Sequence, residues 1–168
     1  TFHDLYEAYP DFLIDVSAEQ ALLLEHDIIV WQHPLYWYSV PPLLKQWIDL
    51  VLDFGWAYGP GGDKLKDKWL FQAFTSGGGR DRYHAEGRNR YTIREFFRPL
   101  EQTARLCQLR YYPPYGLLGT HRFSRETCNQ LGQEYGQWLR LLLDEQVDPA
   151  QWEKHEFVND YLATFQAS

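Results

Sequence analysis

The sequence predicts an α/β domain: a parallel β-sheet with helices packed on both faces. Two strand-length apolar runs, "DIIVWQ" (27–32) and "WLFQAF" (69–74), alternate with segments whose apolar residues recur at helical spacing. Both runs are continuously apolar, as expected of strands buried on two faces in a parallel sheet. The two most unusual loops, residues 33–41 and 75–90, each follow one of these runs, so both lie at carboxyl ends of strands, where open α/β sheets bind ligands. At 168 residues the chain is long enough for one domain with a proper core, and residues 1–168 are read as a single domain.

Residues 1–6 read as the end of a strand, and Tyr9-Pro10-Asp11 as a turn. Ser17 stands as a helix N-cap, with Gln20 as its capping-box partner, and the helix "AEQALLLEH" runs into the first apolar strand. After the aromatic stretch, Leu43, Leu44, Trp47, Ile48, Val51 and Leu52 fall on one helical face. The glycine-rich excursion "GWAYGPGGDKLKDK" leads into the second strand. A helix is expected from about Thr92 to Leu106, with a kink at Pro99. "LRYYPPYGLLG" (109–119) reads as a strand interrupted by its prolines. A helix capped by Ser124 follows, and residues 149–168 form a surface tail with room for one short helix.

A net charge of −7 and a pI near 5.3 argue against a nucleic-acid or anionic-membrane surface. No apolar run approaches the roughly 20 residues that span a bilayer, and no signal peptide opens the chain, so a cytoplasmic location is expected. Cys107 and Cys128 fit no metal spacing and read as reduced, buried thiols; the six histidines are scattered, so no metal site is expected. Aromatic content is 17%, with 7 Trp and 12 Tyr, and such side chains serve a core, an interface or a site for a planar ligand equally well.

"HPLYWYSVPP" (33–42) is open to two readings. Its aromatics plug the end of the sheet or a dimer contact, or they form a platform for a planar ring, fixed in advance by Pro34, Pro41 and Pro42 so that less ordering entropy is lost on binding. "TSGGGRDRYH" (75–84) offers backbone N–H groups that a ligand can approach closely. Neither the G-x-x-x-x-G-K-[ST] nor the G-x-G-x-x-G phosphate pattern occurs, and no G-x-S-x-G elbow is present.

The block H-P-L-x-W-Y-x-x-P-P-L-L-K-x-W, with "HDLYEAYPDF" before it and "TSGGG" after it, resembles the flavodoxin-like NAD(P)H:quinone oxidoreductase family. Within that family it is most similar to the ancillary proteins of bacterial glutathione-regulated potassium-efflux systems. The resemblance covers most of the chain. It implies a three-layer sandwich with a five-stranded parallel sheet in the order 2-1-3-4-5, binding FMN (FAD is the other flavin open to it) and using NAD(P)H as co-substrate. It further implies that Pro34, Leu35, Tyr36, Trp37 and Tyr38 back the flavin ring, and that Thr75, Ser76, Gly77, Gly78 and Gly79 contact its pyrimidine side. Tyr83 would lie over the substrate pocket, and Tyr58 would reach the pocket from the partner subunit of a homodimer, where Trp56 would also be covered.

This sequence departs from the family pattern twice. A proton-carrying histidine is expected shortly after Tyr83, but Asn89 stands there, with His84 as a neighbouring substitute for the catalytic role. The family's first strand and its phosphate-binding loop have no counterpart in residues 1–168, which leads to the expectation of a longer N-terminus and of weak FMN binding by these residues alone. Two functions follow from the resemblance. One is two-electron reduction of quinones or other electrophiles. The other is a regulatory subunit docked on a potassium-efflux antiporter at the cytoplasmic face of the inner membrane. The two are compatible.

Overall fold

Strand β2 (Trp69–Ser76) organises the molecule. In this computed structural model, which describes residues 1–144 and 149–166, β2 pairs in parallel with β1 (Ile28–Pro34) along its whole length, from Ile28 opposite Trp69 to Pro34 opposite Thr75. On its other side β2 pairs in parallel with β3 (Arg110–Tyr111) near its start and with β4 (Tyr115–Leu118) near its end. The break between β3 and β4 falls at Tyr112-Pro113-Pro114, where two prolines remove ladder donors. Among the described residues these four strands form one contiguous sheet with β1 at its edge.

Side chains of β2 alternate between two cores. Leu70 and Phe74 face the first, with Leu44, Trp47, Ile48 and Val51 of α3 (Pro42–Val51), Ile93 of α4 (Ile93–Phe96), and Leu100 and Ala104 of α5 (Arg98–Leu106). Phe71 and Ala73 face the second, with Tyr112, Tyr115, Trp138 and Leu142 of α6 (Arg125–Leu143), Trp152 of α7 (Pro149–Trp152) and Val158 of α8 (Val158–Gln166). Much of the aromatic surplus goes into this second core. Phe71 stacks on Tyr112 at 5.1 Å and meets Trp138 and Trp152 edge-on, each at 5.3 Å. Edge-to-face geometry lets the positive ring edge meet the negative face of its neighbour.

Several expectations need correction. Residues 1–6 form no strand; Asp4 caps the short helix α1 (Leu5–Ala8), its carboxylate accepting from the Tyr6 and Glu7 N–H groups. Asp15, not Ser17, caps α2 (Val16–Leu24), because its carboxylate accepts from the Ala18 N–H and starts the helix two residues earlier. Strand β1 is only half-buried, with Gln32 exposed, because β2 alone pairs with it among the described residues. The expected helix from 92 to 106 is broken at Phe97, since Pro99 can neither donate to the Glu95 carbonyl nor avoid its oxygen. Cys107 is buried, which pushes its thiol up to about 11, but Cys128 is exposed. The C-terminal segment is more than a surface tail: it carries two helices, and Trp152, Phe157 and Val158 are fully buried. Residues 145–148, just before that segment, and 167–168, at its end, lie outside the described residues.

Candidate functional site

The aromatic loop begins where the β1–β2 ladder ends, at the Leu35 N–H donating to the Thr75 carbonyl at 2.7 Å. Tyr36 and Ser39 then exchange backbone hydrogen bonds of 3.0 and 2.9 Å, closing a two-residue turn over Trp37 and Tyr38. Both central residues have positive φ, 48° for Trp37 and 65° for Tyr38. That is the pattern of a mirror-image type I′ turn, normally built from Asn-Gly because side chains crowd the backbone there. Left-handed backbone at non-glycine residues costs about 1–3 kcal/mol each, so the surrounding structure has to hold the turn.

Tyr38 is held well. Its ring stacks on Phe96 at 4.8 Å, and its hydroxyl donates weakly to Asn89 Oδ1 at 3.4 Å. Trp37 is 93% exposed and packs on no other ring among the described residues. Beneath the turn, His33 is buried. Its Nδ1 lies 2.9 Å from the Pro34 carbonyl and its Nε2 lies 2.9 Å from the Gln72 side-chain oxygen, while the Gln72 amide nitrogen points at the Tyr111 hydroxyl. Burial lowers the His33 pKa and keeps the ring neutral, so it has one proton for two acceptors. Turning the Gln72 amide end for end satisfies every group: His33 Nδ1–H donates to Pro34, the amide donates to Nε2, and Tyr111 donates to the amide oxygen. His33 thereby anchors the first carbonyl of the aromatic loop.

The glycine loop opposite is built differently. Ser76 and Tyr83 are both buried and joined by a 2.7 Å hydroxyl–hydroxyl bond, and the Gly78 N–H donates to Ser76 Oγ at 3.2 Å. The Gly119 N–H reaches both the Ser76 and Gly78 carbonyls, at 2.8 and 3.0 Å. Gly77, Gly78 and Gly79 all avoid positive φ. They are needed for space: a Cβ on Gly77 would run into the His121 ring, one on Gly78 would lie 3.0 Å from the Tyr83 hydroxyl, and one on Gly79 would meet Asp81 and Arg122. The Gly77 N–H is next in register after Thr75 on the edge facing the aromatic loop, and no acceptor among the described residues meets it.

The structure thus brings Pro34, Leu35, Tyr36, Trp37, Tyr38 and Asn89 together at one loop, beside Thr75, Ser76, Gly77, Gly78, Gly79 and Tyr83 at the other. Two placements differ from expectation. Tyr83 is tucked beneath the glycine loop with its hydroxyl engaged by Ser76, so it braces that loop instead of projecting into open space. Ser76 is likewise engaged with Tyr83 and Gly78. His84 is exposed, and its Nε2 donates to the Asp81 carbonyl at 2.8 Å. Tyr58 is partly buried with Trp56 against the first core and meets Phe54 edge-on at 5.7 Å. Sequence reasoning missed His33, Phe96, His121 and Arg122, because each joins the site through a contact distant in the chain.

A doubly wound sheet whose carboxyl edge sets a rigid aromatic turn beside an unpaired backbone donor is an α/β ligand-binding architecture. The chain belongs to the flavodoxin-like fold family, whose profile matches residues 1–141. It is 48% identical over 139 residues to the glutathione-regulated potassium-efflux system ancillary protein KefG of Erwinia tasmaniensis, covering 83% of this chain and 76% of that protein. The general stress protein 14 of Treponema denticola, solved in complex with FMN, is 42% identical with a TM-score of 0.80, covering 84% of this chain and 81% of that one. An NADPH-quinone reductase from P. pentosaceus is 29% identical with a TM-score of 0.70, covering 80% and 85%. A structure described as a thermophilic tryptophan halogenase from Streptomycin violaceusniger is 44% identical with a TM-score of 0.78, covering 80% and 78%, so the neighbours share a fold more clearly than an activity. Among the described residues no helix is long and apolar enough to cross a membrane.

The residues fit the ring system of a flavin. Trp37 supplies an exposed plane, and the free Gly77 N–H supplies a donor of the kind that a pyrimidine carbonyl accepts. Arg80, which follows the glycines, is already bound by two carboxylates, so its charge is committed within the chain.

Proposed function

We propose that this protein binds the ring of FMN between the Trp37–Tyr38 turn and the Gly77–Gly79 loop. It uses NAD(P)H to reduce quinones or other electrophiles by two electrons, as an ancillary subunit of a glutathione-gated potassium-efflux antiporter. The observation that carries this reading is the strained turn that holds Trp37 in solvent. Backbone strain at an exposed aromatic persists when the position serves binding instead of stability. The similarity to KefG supports the transporter role, and the FMN-bound and quinone-reductase neighbours support the chemistry.

Bound flavin would supply hydride acceptance from the nicotinamide and its onward delivery. The chain's own residues orient and stabilise. Trp37 and Tyr38 give the ring a fixed plane, with Pro34 and Leu35 setting where the turn starts. The Gly77 N–H stabilises negative charge on the pyrimidine edge, and Ser76 and Tyr83 keep the glycine loop in place. Asn89 can hydrogen-bond but has no proton to transfer near neutral pH, so protonation falls to water or to His84. The pocket is completed by Tyr58 of a second copy across a two-fold interface.

A second reading, a regulatory subunit that keeps the site mainly for structure, is favoured by one observation. Tyr83 is engaged by Ser76 and the Asn89 amide carries no transferable proton, so neither offers a free general acid. Quinone-dependent oxidation of NADPH by the FMN-supplemented protein, measured beside co-purification with the antiporter, separates the two. Turnover dependent on FMN supports the enzyme. Antiporter binding without turnover leaves the regulatory role alone, and the absence of binding of both FMN and riboflavin, the latter needing no phosphate cradle, refutes the ring site.

A further inference from the structure

Arg80 follows Gly79 directly, and its guanidinium is held from the far end of the chain. Nη1 donates to Asp160 Oδ1 at 2.6 Å, Nη2 donates to Asp160 Oδ2 at 2.9 Å and to Glu156 Oε2 at 2.6 Å, and Nε donates to Glu156 Oε2 at 3.2 Å. The guanidinium carbon also lies 4.7 Å from the centre of the Phe157 ring. An isolated surface ion pair contributes little. Here one planar fork meets two carboxylates and an aromatic face, a geometry that a lysine cannot reproduce.

The far end is itself fixed. Phe157 and Val158 are buried, the Val158 N–H donates to the Pro114 carbonyl at 3.0 Å, and Asn159 Oδ1 accepts from the Gly116 N–H at 2.8 Å. Residues 156–160 are therefore anchored on β4, and Arg80 ties the glycine loop to that anchor. These residues lie beyond residue 141, where the match to the family profile ends.

We propose that Glu156 and Asp160, acting through Arg80, are positioning residues for the glycine loop, so that ligand affinity at the loop is set by the C-terminal segment. The proposal rests on the flavin reading of the site. The test uses the whole chain and FMN as probe, with three variants: Arg80→Gln, Arg80→Lys and the double change Glu156→Gln/Asp160→Asn. Binding is read by flavin fluorescence, and loop order by exchange of the hydrogen-bonded amides of Gly78 and Gly119.

Arg80→Gln and the double variant should each weaken FMN about tenfold and speed exchange at the glycines by a similar factor, with exchange in β1 unchanged. Arg80→Lys should recover only part of the affinity, because it keeps the charge and loses the fork. Wild-type affinity within about twofold, together with unaltered glycine exchange in both Arg80→Gln and the double variant, would overturn the proposal. Failure of the wild-type protein to bind either FMN or riboflavin would instead sink the flavin reading, and the exchange data would still decide whether Arg80 positions the loop.

Discussion

The two loops at the carboxyl edge exchange the roles that their residue types usually take. In the aromatic loop, Trp37 and Tyr38 occupy the left-handed backbone that glycine or asparagine would adopt without strain. In the glycine loop, three consecutive glycines use ordinary backbone angles, and what they provide is room for the His121 ring, the Tyr83 hydroxyl, Asp81 and Arg122. One loop spends stability to expose a flat side chain. The other gives up side chains so that its backbone can lie close to its neighbours while the Gly77 N–H meets no acceptor among the described residues. A planar ligand with hydrogen-bonding edges needs both.

The comparison breaks most visibly if the aromatic turn is given its preferred residues. Replacing Trp37 with Asn and Tyr38 with Gly should relieve about 1–3 kcal/mol at each position, less what the Tyr38–Phe96 stack contributes, while removing FMN binding. Urea unfolding beside flavin titration checks both halves. A destabilised variant would mean that the turn is not strained.

Tyr83→Phe strikes the other loop. It leaves the buried Ser76 hydroxyl with one partner fewer, so a loss of about 1–2 kcal/mol is expected, with faster amide exchange confined to Gly78 and Gly119. Uniform loosening of the whole sheet would contradict the bracing role.

A smaller effect concerns His33, which anchors the aromatic loop. Its folded pKa is depressed by burial, so the unfolded chain binds a proton that the folded one refuses. Stability from this group is complete above the ordinary histidine pKa of about 6.5 and is lost as pH falls below it, by at most about 1.4 kcal/mol per pH unit. His33→Gln should flatten that part of the acid limb when unfolding is measured from pH 8 to 5. An identical slope in both proteins would remove His33 from the account.

Much of this was legible in the sequence, and the failures have physical causes. Periodicity located both long strands, the helix from Pro42 and the proline-broken strand after Leu109, because each pattern is local. The aromatic and glycine loops were singled out by composition and position. Periodicity could not reveal the turn inside "LYWYS", since nothing there carries a glycine or asparagine signal and two long-range contacts, Tyr38 with Phe96 and His33 with Gln72, hold it. Capping failed for a related reason: Asp15 and Ser17 are both good caps, and only the observed backbone chooses between them. The C-terminal segment was misjudged because its anchors are spread over Trp152, Phe157 and Val158, too sparse for an amphipathic pattern.

The most direct test of the central claim is an FMN titration of Trp37→Ala beside the wild-type protein. Stacking on an aromatic contributes about 0.5–1.5 kcal/mol beyond the area it buries, so the loss of the whole indole face should weaken binding about tenfold. Stability should be unchanged or slightly improved, because Trp37 is 93% exposed and makes no ring contact among the described residues. Unchanged FMN affinity in Trp37→Ala would contradict the account: the turn would then hold its tryptophan in solvent for some purpose other than a flavin.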